Sequence, residues 1–325
     1  MSEPSSASGG ALYDLITIGR CGVDVYPLQT GVGLADVETF GKFLGGSPTN
    51  VAVAAARHGL SPAVITGVGA DPFGEYVRRA IRDFGVDDRF VATFTEAPTP
   101  VTFCEIFPPD HFPIYFYRGE HPPDLRITSG HLDLDAIRAT SLFWFSLTGL
   151  SKEPSRAAHH AALSARTSGW TVFDLDYRAP LWESRAAARE AAGRALPHAN
   201  VAVGNLEEVE TAVGVRHPEA AAQALLEAGV QVAIVKMGPE GVFARTSGES
   251  CLIKPVEVDV LNGIGAGDAF GGALCLGLLR GWPLERTIRF ANAAGAFVAA
   301  RLACADAMPT TAEVAELMKG PGVRS

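Results

Sequence analysis

Residues 260–273, V-L-N-G-I-G-A-G-D-A-F-G-G-A, constrain what this chain can fold into more than any other stretch. Gly263, Gly265 and Gly267 end an apolar, β-like run over residues 256–261, and a small-residue helical pattern begins after Asp268. Backbone without side chains can wrap closely round an anion, and the N–H groups at a helix start carry partial positive charge. Gly265, Ala266 and Gly267 are therefore candidate amides of an anion cradle. Asp268, at its edge, admits two readings. It caps the helix after a tight strand-to-helix turn, or it takes a proton from an attacking hydroxyl, since a carboxylate beside a developing anion otherwise only repels it. No Lys-Ser or Lys-Thr follows as in a P-loop, and no G-x-G-x-x-G lies within it.

A chain of 325 residues can bury a sizeable core in one large α/β domain or two small ones. The 47% of hydrophobic residues, with many Gly and Ala, suit parallel strands under tightly packed helices. A net charge of −9 without any basic run argues against a nucleic-acid surface, so an anionic substrate needs a local positive patch. The five scattered cysteines lack metal-type spacing and point to free thiols in a reducing compartment, and the polar residues 1–12 read as a disordered tail. No apolar run approaches the ~20 residues of a membrane span, and a cytoplasmic location is expected.

Residues 13–19 read as a buried first strand, with Asp24 five residues beyond its carboxyl end, the edge where open α/β sheets bind ligands. Asp24 is a ligand contact or a solvated loop acid. In G-G-S-P-T-N (residues 45–50), paired glycines permit close approach, Ser47 or Thr49 can cap, and Pro48 suits a first helical turn. Asn50, on the nearly all Val/Ala helix that follows, can hold sugar hydroxyls or satisfy a neighbouring backbone group. Residues 63–69 and 69–85 supply a second strand and an amphipathic helix, so a doubly wound sheet follows. Between residues 99 and 119 two alternating runs flank a proline-rich turn. With residues 26–44 this hairpin predicts a small sheet standing off the main one, a water-excluding lid. Arg118 ends the hairpin as an anion contact or a surface arginine. Asp174, Asp176 and Arg178 close a later strand, bind hydroxyls and an anion, or form a structural ion pair. Asn205 and Glu208 fit a capping box as well as a magnesium-water site. Lys236 and Gly238 end another strand beside the expected phosphates.

With these positions in place, the chain resembles the ribokinase-like carbohydrate kinases, also called the phosphofructokinase B type, from about residue 14 to 318. Residues 45–59 (G-G-S-P-T-N-V-A-V-A-A-A-R-H-G) resemble the family's first signature and residues 263–270 (G-I-G-A-G-D-A-F) its second. Residues 205–208 match an N-x-x-E element, and residues 291–296 (A-N-A-A-G-A) a helix lining an adenine pocket. The resemblance implies a doubly wound, mainly parallel sheet with a β lid in a single domain over residues 13–319, and MgATP as phosphoryl donor. It implies Asp268 as catalytic base, Gly265 to Gly267 as anion hole, and Asp24, Gly46 and Asn50 as sugar contacts. Asn205 and Glu208 would organise magnesium and its waters, with Lys236, Gly238, Gly241 and Asn292 along ATP. Asn262-Gly263 stands where many relatives have Asp-Thr, which removes a carboxylate from any potassium site.

Within the family, D-L-I-T-I-G-R-C-G-V-D-V-Y-P-L-Q, P-P-D-H-F-P-I-Y-F-Y-R and F-D-L-D-Y-R-A-P-L-W look most like the branch that phosphorylates 5-dehydro-2-deoxygluconate in myo-inositol catabolism. Such an acceptor carries a carboxylate, which gives Arg118 and Arg178 a purpose as bidentate contacts, with Asp176 on its hydroxyls. The alternatives are a 2-keto-3-deoxygluconate, fructose or nucleoside kinase, the last using Phe103, Phe112, Phe116 or Trp144 as a clamp. A catalytically silent sugar- or nucleotide-binding regulator is the remaining alternative. An exposed lid sheet also predicts a homodimer through it.

Overall fold

A computed structural model describes residues 12–320, so the tail expected over residues 1–12 lies, but for Leu12, outside the described residues. The elements follow in chain order: β1 (Leu15–Ile18), β2 (Gly22–Pro27), β3 (Phe40–Gly45), α1 (Ser47–Arg57), β4 (Pro62–Gly69), α2 (Pro72–Asp83), β5 (Val91–Phe94), β6 (Val101–Cys104), β7 (Ile114–Tyr117), α3 (Leu134–Ala139), β8 (Leu142–Ser146) and α4 (Ser155–Ala165). Then come β9 (Trp170–Asp174), α5 (Arg185–Ala195), β10 (Val201–Asn205), α6 (Leu206–Val213), α7 (Pro218–Glu227), β11 (Val232–Lys236), β12 (Val242–Arg245), β13 (Ser250–Ile253), α8 (Ala266–Leu279), α9 (Leu284–Ala299) and α10 (Thr311–Leu317).

Nine strands form one sheet in the order β13-β12-β11-β10-β9-β8-β1-β4-β5. Its strands pair in parallel except for β12 and β13, which add antiparallel at one edge. Alternation along each strand divides the core. Leu15 of β1 and Leu142 and Trp144 of β8 face α1, α8 and α9, whereas Ile16, Ile18, Phe143 and Phe145 face α4 and α5. A sheet covered on both faces needs strands that are apolar throughout, and LITI and LFWFS are almost so. Strand order reverses at β1, which has β4 on one side and β8 on the other, so the crevice of the sheet opens there.

The second sheet has four strands, ordered β3-β2-β6-β7. Asp24 lies within β2 of this sheet, paired with Phe43 and Thr102, and is no loop acid. The run over residues 256–261 forms no strand; it is extended connection between β13 and α8. Helix α8 begins at Ala266, two residues before Asp268. Its N-cap is Gly265 in the left-handed region (φ 86°), where Cβ is costly, so Asp268 sits in the first turn and caps nothing. Neither Ser47 nor Thr49 caps α1: the Thr49 hydroxyl donates to the Arg20 carbonyl and the Ser47 hydroxyl to Asp174.

Helices α1 and α8 approach so closely that a Cβ on Gly272 would lie 2.3 Å from the Ala54 Cβ and 2.8 Å from Ala54 backbone. Backbone cannot swing aside as a flexible side chain can. Gly272→Ala is therefore expected to lower stability by about 1–3 kcal/mol through overpacking. Gly193→Ala, in α5 with nothing within 4 Å of the added carbon, should raise it by about 0.4–1 kcal/mol. Urea unfolding midpoints of the two variants check the opposite signs.

Candidate active site

A cavity of about 630 Å³ opens at the carboxyl ends of β1, β9, β10 and β11, with the small sheet on its other side. Each strand delivers its polar residues just past its last apolar one. Arg20 follows β1; Asp174, Asp176 and Arg178 end and follow β9; Asn205 closes β10; and Lys236 and Gly238 follow from β11. From the small sheet come Asp24, Phe116 and Arg118, with Phe112 from the β6–β7 connection.

Gly265, Gly267 and Asp268 line one wall, beside Gly46 and Asn50 of the β3–α1 junction. The Asn50 amide donates to Asp268 Oδ2 at 2.9 Å, bridging α1 to the first turn of α8. A Cβ on Gly267 would lie 3.1 Å from Lys236 Nζ, so the ammonium stands beside the Cα of Gly267. Burial raises the Asp268 carboxyl above the ordinary carboxylate range, with the Asn50 hydrogen bond pulling the other way and burial winning.

Asp24 behaves likewise: burial lifts it to about 6, against a 2.7 Å hydrogen bond from Tyr26. The bare Cα of Gly45 leaves it room, since a Cβ there would lie 2.1 Å from Asp24 Oδ1. Asp174 is also driven up by burial, only partly offset by Lys236. Asp176 is the exception. Burial pushes it up, but Arg178 and Arg20 together, with the Thr148 hydroxyl at 2.6 Å, hold it well below the usual range. Its two oxygens divide the arginines, Oδ2 taking Arg20 Nη2 at 2.5 Å and Oδ1 taking Arg178 Nη2 at 2.9 Å.

Asn205 and Glu208 form a complete capping box on α6: Asn205 Oδ1 accepts from the Glu207 and Glu208 amides, and Glu208 Oε2 from the Asn205 amide at 2.7 Å. Both residues also border the cavity, and Glu208 Oε1, with only Arg178 at 3.9 Å, is left over from the cap. The capping and cavity roles thus coexist.

Three expected contacts do not line this cavity. Gly241 is outside the cavity, where its bare Cα (φ 96°) clears the Ile253 carbonyl, which a Cβ would meet at 2.0 Å. Asn292 is also outside, its amide donating to the Lys254 carbonyl. Ala266 is absent from the lining between Gly265 and Gly267. Arg118 does line it, yet both oxygens of the buried Asp124 accept from its Nη2, at 3.0 and 2.7 Å, which neutralises it. Of the aromatic residues considered as a clamp, Phe112 and Phe116 border the cavity, while Trp144 is packed in the core. Arg20 escaped the sequence reading altogether. Its only signal was its place directly after Gly19 at the carboxyl end of the first strand.

A carboxylate of raised proton affinity, set beside a glycine turn, a lysine and a pair of arginines, is suited to moving a proton while an anion is held. Comparison with known proteins agrees. The family profile described as pfkB family carbohydrate kinase matches residues 13–311, and the chain belongs to that family: it is a phosphotransferase that uses ATP on a carbohydrate hydroxyl. Among its relatives are 5-dehydro-2-deoxygluconokinases. That of Listeria monocytogenes serotype 4b (strain CLIP80459) is 32% identical over 313 residues (94% of this chain, 96% of the relative), and that of Clostridium beijerinckii 32% over 315 (94% and 93%). A putative Ribokinase II from E. coli, solved in complex with ATP and Mg2+, has the same fold, with a TM-score of 0.85 at 22% identity, covering 95% of this chain and 99% of that one. No helix among the described residues is long and apolar enough to cross a membrane, and all five cysteines are free.

Keeping Asp24 ionised in this setting costs the fold stability. Its proton affinity is raised in the folded state, so the cost is present at neutral pH and disappears as pH falls through about 6 towards the unfolded value. Asp24→Asn, whose amide oxygen can still accept from Tyr26, should therefore stabilise the protein at pH 7.5, by at most about 3 kcal/mol. The gain should shrink towards pH 4.5, and melting curves at the two pH values measure it.

Proposed function

We propose that this chain transfers the γ-phosphoryl group of ATP to the primary hydroxyl of a small keto-sugar acid, of the 5-dehydro-2-deoxygluconate type, in inositol catabolism. The observation that carries the reading is the Asp268 carboxylate, held by Asn50 in the first turn of α8 beside the Gly265–Gly267 amides and Lys236. The acceptor class is supported by the arginines that border the cavity and by what the relatives are named for.

Asp24, Gly46 and Asn50 hold the sugar with one hydroxyl against Asp268. As that oxygen bonds to the γ-phosphorus, the bond from phosphorus to the oxygen bridging to ADP breaks, and the hydroxyl proton passes to Asp268. The turn amides and Lys236 bear the charge of the transferred group. Raised proton affinity makes Asp268 a better acceptor near neutral pH than an ordinary aspartate. The small sheet acts as a lid that excludes water, over a single kinase domain spanning residues 13–319.

The donor set fits magnesium carried in on phosphate. Among the described residues no three acids, histidines or cysteines converge on one point, and Mg2+ keeps most of its waters and takes few protein ligands. Asn205 and the spare Glu208 Oε1 would hold those waters. When bound, the ion neutralises charge on the β- and γ-phosphate oxygens. Asn262 offers no carboxylate to a monovalent cation: fully buried, it donates its amide to the Leu302 carbonyl at 2.7 Å and accepts from the Ile264 amide at 3.0 Å. The side chain thus ties the glycine turn down without an ion. The exposed Leu28 and Tyr117 of the small sheet support a homodimer through the lid, which light scattering would test, and the free thiols suit a reducing cytoplasm.

Asp268→Asn is expected to bind ATP nearly normally and to lose turnover by at least about a hundredfold; unchanged turnover removes Asp268 from the role. In the wild type, kcat/KM should fall on the acid side about a midpoint above the ordinary carboxylate value of about 4. Rates in sodium, potassium and tetramethylammonium salts of equal ionic strength should agree, and strong potassium activation would contradict the part given to Asn262.

A further inference from the structure

We infer that Arg20 is the residue that reads the acceptor's carboxylate, so that preference for a sugar acid over a neutral sugar resides at the end of β1. This rests on the sugar-acid reading above. Three arginines border the cavity, and their partners separate them. Arg118 is matched one to one with Asp124, both oxygens on one of its nitrogens and both side chains buried. Arg178 lies between Asp176 and Glu208, towards the Asn205 end, and is 36% exposed.

Arg20 has only Nη2 engaged by a protein acceptor. Its Nε is buried without any partner, an arrangement that leaves the full desolvation cost of a charged donor uncompensated in the empty site. Asp176 also serves Arg178, which has Glu208 at 3.9 Å besides, so Arg20 shares its one hydrogen-bonded acid with a second guanidinium. The residue is 7% exposed, and the Phe116 ring of β7 lies 5.7 Å from its Cζ, so the guanidinium is shielded from water on the lid side. Asp24, which borders the same space, is within electrostatic reach. A substrate carboxylate on Arg20 would meet a guanidinium whose one acidic hydrogen-bond partner is shared, and Thr148 with Arg178 would keep Asp176 from moving to meet it.

The test compares 5-dehydro-2-deoxygluconate with D-fructose, a neutral ketose, as acceptors for wild type, Arg20→Lys and Arg118→Lys. Arg20→Lys keeps a cation for Asp176 but loses the planar fork. It should lower kcat/KM for the acid by about ten- to a hundredfold, mostly through KM, and leave that for fructose and the ATP affinity nearly unchanged. Equal loss on both acceptors marks Arg20 as structural or as acting on Asp268, and overturns the inference. So does a preference that survives Arg20→Lys and disappears in Arg118→Lys. A wild type with no preference for the acid sinks the parent reading instead, and is recognised before any variant is made. A crystal structure of the wild type with D-gluconate needs no substitution: its carboxylate should lie within hydrogen-bond distance of the Arg20 guanidinium, and a carboxylate seated on Arg118 or Arg178 refutes the inference.

Discussion

The contact between α1 and α8 is the constraint on which the rest depends. Gly271 and Gly272 let α8 lie against Val51, Ala54 and Ala55, at distances where a single methyl would strike backbone. Only at that separation can Asn50, in the first turn of α1, reach Asp268 in the first turn of α8. The two helices start from glycines with positive φ, Gly46 and Gly265, and each glycine is pressed against another part of the site. A Cβ on Gly46 would meet the Arg20 carbonyl at 2.5 Å, and one on Gly265 the Cys304 sulfur at the same distance. Core packing and site geometry are therefore one problem in this fold.

The electrostatics follow from crowding acids into that geometry. Asp24, Asp110, Asp174, Asp176, Glu208 and Asp268 border the cavity against Arg20, Arg118, Arg178 and Lys236. With every group charged, such a pocket repels a polyanion. Burial opposes part of that negative charge by raising Asp24, Asp174 and Asp268 above the ordinary carboxylate range. Asp176, clamped by two arginines and a threonine, is shifted the other way.

Much of this was legible in the residues. The parallel sheet followed from strands that are apolar without alternation, and the glycine turn with Asp268 followed from its composition alone. What could not be read was pairing across the fold. Nothing near Arg118 in sequence says that Asp124 will consume its charge, because the answer depends on how residues 118–124 turn back. Arg20 carried too weak a local signal to compete with Arg118 and Arg178, although it lies at the strand end that the topology makes the ligand edge. Gly241 was legible as a glycine that matters, but its closeness to the Ile253 carbonyl depends on the β12–β13 pairing and could not be read. The run before α8 looked like a strand because its apolar residues resemble one, yet it pairs with neither sheet.

The small sheet has its own place in this economy of charge. Its strands β2 and β7 bring Asp24, Phe116 and Arg118 to the cavity, and the β6–β7 connection brings Phe112 within 3.0 Å of where a Cβ on Gly263 would stand. Tyr26, one turn of the pleat from Asp24, hydrogen-bonds both that carboxylate and the Cys304 thiol behind Gly265. One phenol thereby ties β2 to Cys304, whose sulfur lies behind Gly265. Strands β6 and β7 extend the sheet beyond β2. Those strands carry the aromatic rings, and the ring of Phe116 is the one that seals Arg20 from water.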